Sequence, residues 1–297
     1  MATLNQWIEG ARPRTLPAAA APVMAGTATA LLQGGPWTVR SLLVVLGCLV
    51  LALALQVGVN YANDYSDGVR GTDDVRVGPL RLVGSGAARP GQVKAAAFAC
   101  LGAGALVGLV LVLATQHWWL LAVGVACLLA AWFYTGGKHP YGYAGLGEVM
   151  VFVFFGLVAV CGTHYLVTGG FTWASLLAAV AIGALACGLL VVNNLRDLVG
   201  DREVGKRTLA TRLGDRGTRL FHAALTLVAV LAIVGTAALV NGWLLLGLLL
   251  VIAAVPAARS VLKGATGRDL IGVLKQMGQA ELLAGIGLLA GALIALV

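Results

Sequence analysis

Two clusters of asparagine and aspartate residues are the part of this chain best suited to chemistry. The first lies in the run NYANDYSDGVRGTDD and the second in the run VVNNLRDLVGDREVGKR. Each cluster contains an Asn and an Asp four residues apart, as in Asn63 with Asp67 and Asn193 with Asp197. On a helix this spacing places both side chains on one face, and Asp201 continues the second face by one more turn. Carboxylates crowded in this way repel one another unless a cation lies between them.

A hard divalent cation would remove this repulsion. Mg²⁺ prefers oxygen ligands and usually binds through one or two carboxylates together with substrate phosphates. We therefore predict that the two clusters face each other and hold Mg²⁺. The predicted metal ligands are Asn63, Asp64, Asp67, Asp73, Asn193, Asp197 and Asp201.

Basic residues accompany both acidic clusters. Cations placed around a metal site suit a diphosphate leaving group, because they stabilise the negative charge that develops on it. Lys138 is the strongest single candidate, since it is the only Lys or Arg in its short segment between two apolar stretches. The predicted diphosphate-binding residues are Arg70, Arg81, Lys138, Lys206 and Arg207.

The rest of the chain is strongly apolar. It is 60% hydrophobic and 11% charged over 297 residues, whereas a soluble domain is about a quarter charged. Nine stretches are long enough to cross a bilayer, which takes about 20 residues. They lie near residues 15–33, 41–62, 92–114, 117–134, 144–167, 172–195, 217–240, 242–262 and 275–296. We therefore predict an all-α, polytopic membrane protein with nine transmembrane helices. Four spans separate the two clusters, which suggests two related four-helix units plus a ninth helix.

The charged residues predict the orientation in the membrane. Successive segments between spans lie on alternate sides of the membrane. With this assignment, all of the twenty Lys and Arg residues except Arg40 fall on the same side as the N-terminus. The positive-inside rule then places the N-terminus and the clusters in the cytosol and the C-terminus outside. The acidic residues are assigned to the same inner side, although acids contribute little to topology and so need another reason to be there.

Composition also weighs against two other functions. The net charge of +8 could indicate nucleic-acid binding, but the basic residues lie between apolar spans rather than on a soluble module. Attraction to anionic membrane lipid or to an anionic substrate is a simpler explanation. A secondary transporter remains an alternative, yet transporters usually bind their substrates near the bilayer midplane at interrupted helices. Here the spans are nearly free of charge between their ends.

Five sequence runs together resemble the UbiA superfamily of intramembrane aromatic prenyltransferases, specifically the MenA type. They are ARPRTLPAAAAPV, NYANDYSDGVRGTDD, GPLRLVGSG, YTGGKHPYGYAGLGE and NNLRDLVGDREVGKRTLA. The family's first motif, Asn-Asp-x-x-Asp-x-x-x-Asp, ends here at Gly71 rather than at an Asp, and Asp73 follows two residues later. The second motif matches Asp197 and Asp201. The family's Tyr-x-x-x-Lys motif matches Tyr134 and Lys138, and its Lys contacts diphosphate.

The resemblance implies one domain over residues 1–297, a helical bundle around a central cavity in the bacterial cell membrane. It implies Mg²⁺-dependent transfer of a polyprenyl group from polyprenyl diphosphate to 1,4-dihydroxy-2-naphthoate, with loss of CO₂ and diphosphate and formation of a demethylmenaquinone. In this interpretation Asp67, Asp197, Asp201 and Lys138 are catalytic, and lipid surrounds the protein. Another acceptor, such as 4-hydroxybenzoate or haem, is an alternative within the superfamily. Candidates for binding the acceptor are Arg14, Arg76, Tyr134 and Tyr141.

Overall fold

The computed structural model of the chain describes residues 2–34, 37–71 and 80–297, and its regular structure there is helical. Two of the predicted site residues, Asp73 and Arg76, lie outside these residues. The helices are α1 (Leu4–Gly10), α2 (Pro17–Gln33), α3 (Val39–Arg70), α4 (Pro90–Thr115), α5 (Leu120–Phe133), α6 (Gly147–Thr168), α7 (Trp173–Arg196), α8 (Leu198–Glu203), α9 (Leu209–Leu239), α10 (Gly242–Leu262) and α11 (Asp269–Ile294).

Seven helices in the described part of the chain are long and apolar enough to cross a membrane, and an eighth span results if α1 and α2 are taken together. The prediction of a multi-pass, all-α membrane protein is therefore confirmed, but the count of nine is not. The difference lies at predicted span 117–134, where α5 has only 14 residues. A bilayer crossing takes about 20 residues, so the length of α5 does not by itself qualify it as a span.

The chain divides into two compact units, of which the first contains residues 1–16 and 50–144. Side chains of α3 hold the N-terminal segment in this unit. Asn60 donates its side-chain N–H to the carbonyl oxygen of Ala11 at 2.8 Å. The Tyr61 hydroxyl donates to the carbonyl oxygen of Trp7 at 2.8 Å. Arg12 adopts the left-handed region, with φ of 54°, which is uncommon for a residue other than glycine.

The second unit contains residues 17–49 and 145–297, and its core is rich in alanine and glycine. Small residues permit close approach of membrane helices. Gly287 and Gly291, four residues apart on α11, show this most clearly. A Cβ atom on either would overlap a backbone carbonyl oxygen of α10, that of Leu246 or Trp243. This close packing fixes the position of α11 against α10.

Two helix ends differ from the prediction near the clusters. Helix α3 continues to Arg70, beyond the predicted end of the span at residue 62, so Asn63, Asp64 and Asp67 lie on its last turns. Helix α7 ends at Arg196, and Asp197 is its C-terminal cap with φ of −90° and ψ of 3°. The single helical face predicted for Asn193, Asp197 and Asp201 is therefore interrupted, because Asp201 belongs to the separate short helix α8.

One acidic residue also lies elsewhere than predicted. Glu281 is in the middle of α11, a candidate membrane span, and its side chain is wholly buried. The assignment of all acidic residues to the inner segments was therefore wrong for Glu281. Buried carboxylic acids in membrane helices normally face the protein interior, as this one does.

Candidate active site

Asp64 is held by the loop that precedes α4. Its two carboxylate oxygens accept hydrogen bonds from the backbone N–H groups of Leu82 at 2.8 Å and Val83 at 3.0 Å. The Asp64 side chain is wholly buried. Gly68, one turn later on α3, lies against the same loop, since a Cβ there would come within 2.5 Å of the Val83 side chain. Asp64 therefore anchors this loop to α3, whatever else it binds.

Asp67 has different partners. The Tyr143 hydroxyl donates a hydrogen bond to Asp67 Oδ1 at 2.8 Å, and Arg81 Nη2 lies 3.8 Å from Asp67 Oδ2. The side chain of Asp67 is 10% exposed and that of Arg81 is 12% exposed. A hydroxyl donor and a guanidinium therefore lie beside the Asp67 carboxylate, and carboxylate oxygens are ligands that Mg²⁺ prefers.

Asn63 and Arg70 both contact the segment that leads to Lys138. Asn63 Oδ1 accepts a hydrogen bond from the Thr135 hydroxyl at 2.7 Å. The Arg70 guanidinium donates to the carbonyl oxygens of Thr135 and Gly137 and lies over the Tyr143 ring. Lys138, the next residue along, is exposed. Arg70 thus braces the loop that carries Lys138. The sequence predicted instead that Arg70 contacts the diphosphate directly.

Tyr134 and Tyr141 lie together in the same loop region, with ring centroids 5.5 Å apart in an edge-to-face arrangement. The Tyr141 hydroxyl donates to the carbonyl oxygen of Ala130 at 2.8 Å, and burial raises the pKa of this hydroxyl. Tyr141 therefore remains a neutral hydrogen-bond donor. Arg14 is exposed, whereas Arg12 lies close enough to Asp64 for a charge interaction.

The second cluster is organised by Arg196, the last residue of α7. Its guanidinium makes two hydrogen bonds to the Asp197 carboxylate, at 2.7 and 2.8 Å, and a third to Asn193 Oδ1 at 2.9 Å. Asp197 remains 23% exposed in its side chain. A planar guanidinium matches a carboxylate in this bidentate geometry, so Arg196 orients both predicted ligands.

Asp201 follows on α8 and has its own cation. Lys206 Nζ lies 3.5 Å from Asp201 Oδ1, and the Lys206 backbone N–H donates to the Asp201 carbonyl oxygen at 2.8 Å. Arg207, the next residue, is exposed. Its carbonyl oxygen faces Gly145, where a Cβ would come within 2.9 Å. The loop before α6 therefore lies against the segment that carries the predicted diphosphate ligands of this unit.

The residues of each cluster fit Mg²⁺ by their chemistry. No three His, Cys, Asp or Glu side chains within the described ranges lie close enough to enclose a metal ion without further ligands. Each cluster instead offers an asparagine oxygen and carboxylates that are mostly but not wholly buried, Asp67 in the first and Asp197 and Asp201 in the second. This donor set suits an ion that completes its coordination shell with water and substrate phosphates.

Three contacting residues were missed by sequence reasoning. Thr135 and Tyr143 lie within the run YTGGKHPYGY that supported the resemblance, but only Tyr134, Lys138 and Tyr141 of that run received roles. Arg196 lies three residues after Asn193 and directly before Asp197, a spacing that could have indicated its hydrogen bonds. Nothing in the local sequence could have identified the Tyr143 contact with Asp67, since these residues are 76 positions apart.

Comparison with known proteins identifies the family. Residues 19–269 match the UbiA prenyltransferase family. This chain belongs to that family. A protein of Mycobacterium tuberculosis (strain ATCC 25618 / H37Rv) named 1,4-dihydroxy-2-naphthoate octaprenyltransferase is 52% identical over 295 residues, covering 99% of this chain and 98% of its own. The family prediction made from the five runs is confirmed.

Solved structures of UbiA homologs share the fold. One from Aeropyrum pernix K1 has a TM-score of 0.71 at 15% identity and covers 94% of this chain and 98% of its own. One from Archaeoglobus fulgidus, bound to DMAPP and Mg²⁺, has a TM-score of 0.59 at 12% identity and covers 96% of this chain and 99% of its own. At these identities the similarity concerns the fold alone.

Proposed function

We propose that this UbiA family member transfers a polyprenyl group from polyprenyl diphosphate to 1,4-dihydroxy-2-naphthoate, as a step in menaquinone biosynthesis. The observation that carries this function is the 52% identity, over 99% of the chain, to a relative named for that reaction. The two Asn/Asp clusters with their attached cations supply chemistry that suits it. The protein is an aromatic prenyltransferase and a multi-pass membrane protein.

The metal requirement is part of the proposal. Asp67 and Asn63 in the first unit, and Asn193, Asp197 and Asp201 in the second, would bind Mg²⁺, with Asp73 as a further candidate ligand. Mg²⁺, when bound, supplies positive charge to the diphosphate oxygens. A solved UbiA homolog bound to DMAPP and Mg²⁺ supports a requirement for a divalent metal. Asp64, with two backbone N–H groups on its carboxylate, serves mainly to hold the loop that carries Arg81.

The basic residues bind the leaving group in this proposal. Lys138 and Arg207 are exposed and reach the diphosphate, while Arg81 and Lys206 stand beside carboxylates of the clusters. Their charges stabilise the diphosphate as the allylic C–O bond breaks and its electron pair moves to oxygen. Arg70 acts by holding the carbonyl oxygens of Thr135 and Gly137, so it positions Lys138.

The acceptor half of the reaction forms the new bond. The ring carbon that bears the carboxylate attacks the allylic carbon, and a C–C bond forms there. The bond to the carboxylate then breaks, its electron pair restores the aromatic ring, and CO₂ leaves. This balance yields demethylmenaquinol, the reduced form of demethylmenaquinone. Apolar spans exclude the water that would otherwise capture an allylic cation.

Orientation and architecture complete the proposal. The N-terminus and both clusters face the cytosol of a bacterial cell, the C-terminus lies outside, and the long isoprenoid tail remains among the apolar helices and lipid. Nine spans around a central cavity, within one catalytic domain, are the finer architecture implied by the family resemblance, and α5 would be the ninth. Tyr134, Tyr141, Arg14 and Arg76 are candidates for contact with the acceptor. The bond from the Tyr141 hydroxyl to the Ala130 carbonyl oxygen holds the loop that follows α5.

The test uses purified protein in lipid with labelled polyprenyl diphosphate and 1,4-dihydroxy-2-naphthoate labelled in its carboxylate. Prenylated product and labelled CO₂ should appear in equal amounts, should disappear with EDTA and should return with added Mg²⁺. The same assay with 4-hydroxybenzoate measures acceptor choice. Activity with 4-hydroxybenzoate alone, or prenylation without release of CO₂, would contradict the proposal.

A further inference from the structure

Glu148 is a buried acid that the proposed reaction does not use. It is the second residue of α6, and its side chain is 4% exposed. Its carboxylate oxygen Oε1 accepts a hydrogen bond from Asn194 Nδ2 of α7 at 2.9 Å. An acid this deeply buried is uncommon unless it has a specific partner, and Asn194 is such a partner.

A second contact joins the same two helices. Cys187 of α7 donates its thiol to the backbone carbonyl oxygen of Glu148, with a sulfur–oxygen distance of 3.0 Å. Cys187 and Asn194 are seven residues apart, which is about two helical turns, so they lie on one face of α7. Glu148, in the first turn of α6, therefore contacts α7 at two points about two helical turns apart. Two such points restrict rotation of α7 about its own axis.

The part of α7 that Glu148 contacts also carries two predicted ligands of the second cluster. Asn193 precedes Asn194, and Asp197 follows three residues later as the C-terminal cap of the helix. Arg196 connects these two ligands by hydrogen bonds to both. A rotation of the last turn of α7 would therefore move Asn193 and Asp197 together. Glu148 contacts neither of them, so its influence on the cluster passes through Asn194.

We propose that Glu148 is a positioning residue for the second cluster, which sets the direction of Asn193 and Asp197 through its hydrogen bond to Asn194. The inference rests on the proposed function, because that function assigns Mg²⁺ and diphosphate to this cluster. Residues that orient metal ligands from outside the coordination shell commonly change metal affinity by about 10- to 100-fold when removed. The bond requires an acceptor atom at position 148 and does not require a negative charge.

The experiment compares Glu148→Ala with Glu148→Gln. The alanine variant removes the acceptor, while glutamine keeps an acceptor oxygen and nearly the same volume. Thr29→Val is the matched control, because the Thr29 hydroxyl makes another buried contact between helices of the same unit, 2.9 Å from His164 Nδ1. Two quantities are measured for each purified variant: the Mg²⁺ concentration for half-maximal turnover, and that for half-maximal thermal stabilisation in the presence of inorganic diphosphate.

Glu148→Ala should raise both Mg²⁺ concentrations by about tenfold or more, and Glu148→Gln should restore them to near the unsubstituted values. Thr29→Val should lower the melting temperature without changing either concentration. Asn194→Ala removes the donor of the same hydrogen bond, so it should raise both Mg²⁺ concentrations by a similar factor. The double variant Glu148→Ala/Asn194→Ala should then be no worse than either single variant, because the two side chains act through one interaction.

Three results would overturn the inference. Unchanged Mg²⁺ dependence in both Glu148→Ala and Asn194→Ala would exclude a role in positioning. A glutamine variant as impaired as the alanine variant would mean that the charge matters and not the hydrogen bond. An equal shift in Thr29→Val would reduce the effect to general destabilisation. If Glu148→Ala does not fold, Asn194→Ala and Glu148→Gln decide the question. Failure of the proposed function looks different, since the unsubstituted protein would then show no response to Mg²⁺.

Discussion

Asp64 and Asp67 are both predicted metal ligands, yet their contacts differ so much that substitution should separate them. Replacing Asp64 by Ala removes the acceptor of two backbone N–H groups, those of Leu82 and Val83. Leu82 and Asp64 are wholly buried, so water cannot replace the lost bond at Leu82. An unpaired buried donor costs about 1–3 kcal/mol. The partly exposed Val83 adds between nothing and the same amount, so the total loss of stability is about 1–6 kcal/mol.

Asp67→Ala should act mainly on turnover. It removes the acceptor of the Tyr143 hydrogen bond, worth about 1 kcal/mol. It also takes a carboxylate away from the mostly buried Arg81, which lowers stability as well. Turnover should fall by well over tenfold, since a factor of ten corresponds to only about 1.4 kcal/mol and a metal ligand supplies several kcal/mol of leaving-group stabilisation.

The measurements are the thermal unfolding midpoint in detergent, followed by tryptophan fluorescence, and the initial rate of prenyl transfer at saturating Mg²⁺. Asp64→Ala should lower the midpoint by about 2 °C or more. Asp64→Asn should lower it by less, because its single carbonyl oxygen retains one of the two bonds. The reasoning is refuted if Asp64→Ala unfolds at the midpoint of the unsubstituted protein, or if Asp67→Ala keeps its rate within tenfold.

Two further predictions concern the diphosphate loop and the orientation in the membrane. Lys138→Met should raise KM for polyprenyl diphosphate and leave KM for the acceptor unchanged, because we propose that the exposed ammonium group binds the leaving group. Equal increases in both KM values would indicate a disturbed loop instead. The second test starts from a variant in which the five native cysteines are replaced. A cysteine introduced at the exposed position Glu203 should react with an impermeant thiol reagent only in inverted vesicles. A cysteine introduced at Gly170 should react only in intact cells. Labelling of position 203 from outside would contradict the cytosolic assignment of the clusters.

The sequence by itself determined the class of protein, the family and the location of the two clusters. These properties depend on local features, which are long apolar stretches and polar residues at fixed short spacings. Helix ends were less predictable because several residue types continue a helix equally well. Helix α3 therefore extends through Asn63, Asp64 and Asp67 to Arg70, and α7 stops one residue before Asp197, although both clusters begin with the same Asn-x-x-x-Asp pattern.

Only the tertiary structure decided what each polar side chain does. Asp64 reaches backbone groups 18 and 19 residues away. Tyr143 reaches Asp67 across 76 residues, and Glu148 reaches Asn194 across 46. The sequence pattern treated Asp64 and Asp67 alike, and it assigned no role to Tyr143 or Glu148. The physical reason is that a hydrogen bond depends on distances of about 3 Å between groups that folding alone brings together, whereas a sequence motif records only the separation along one helix.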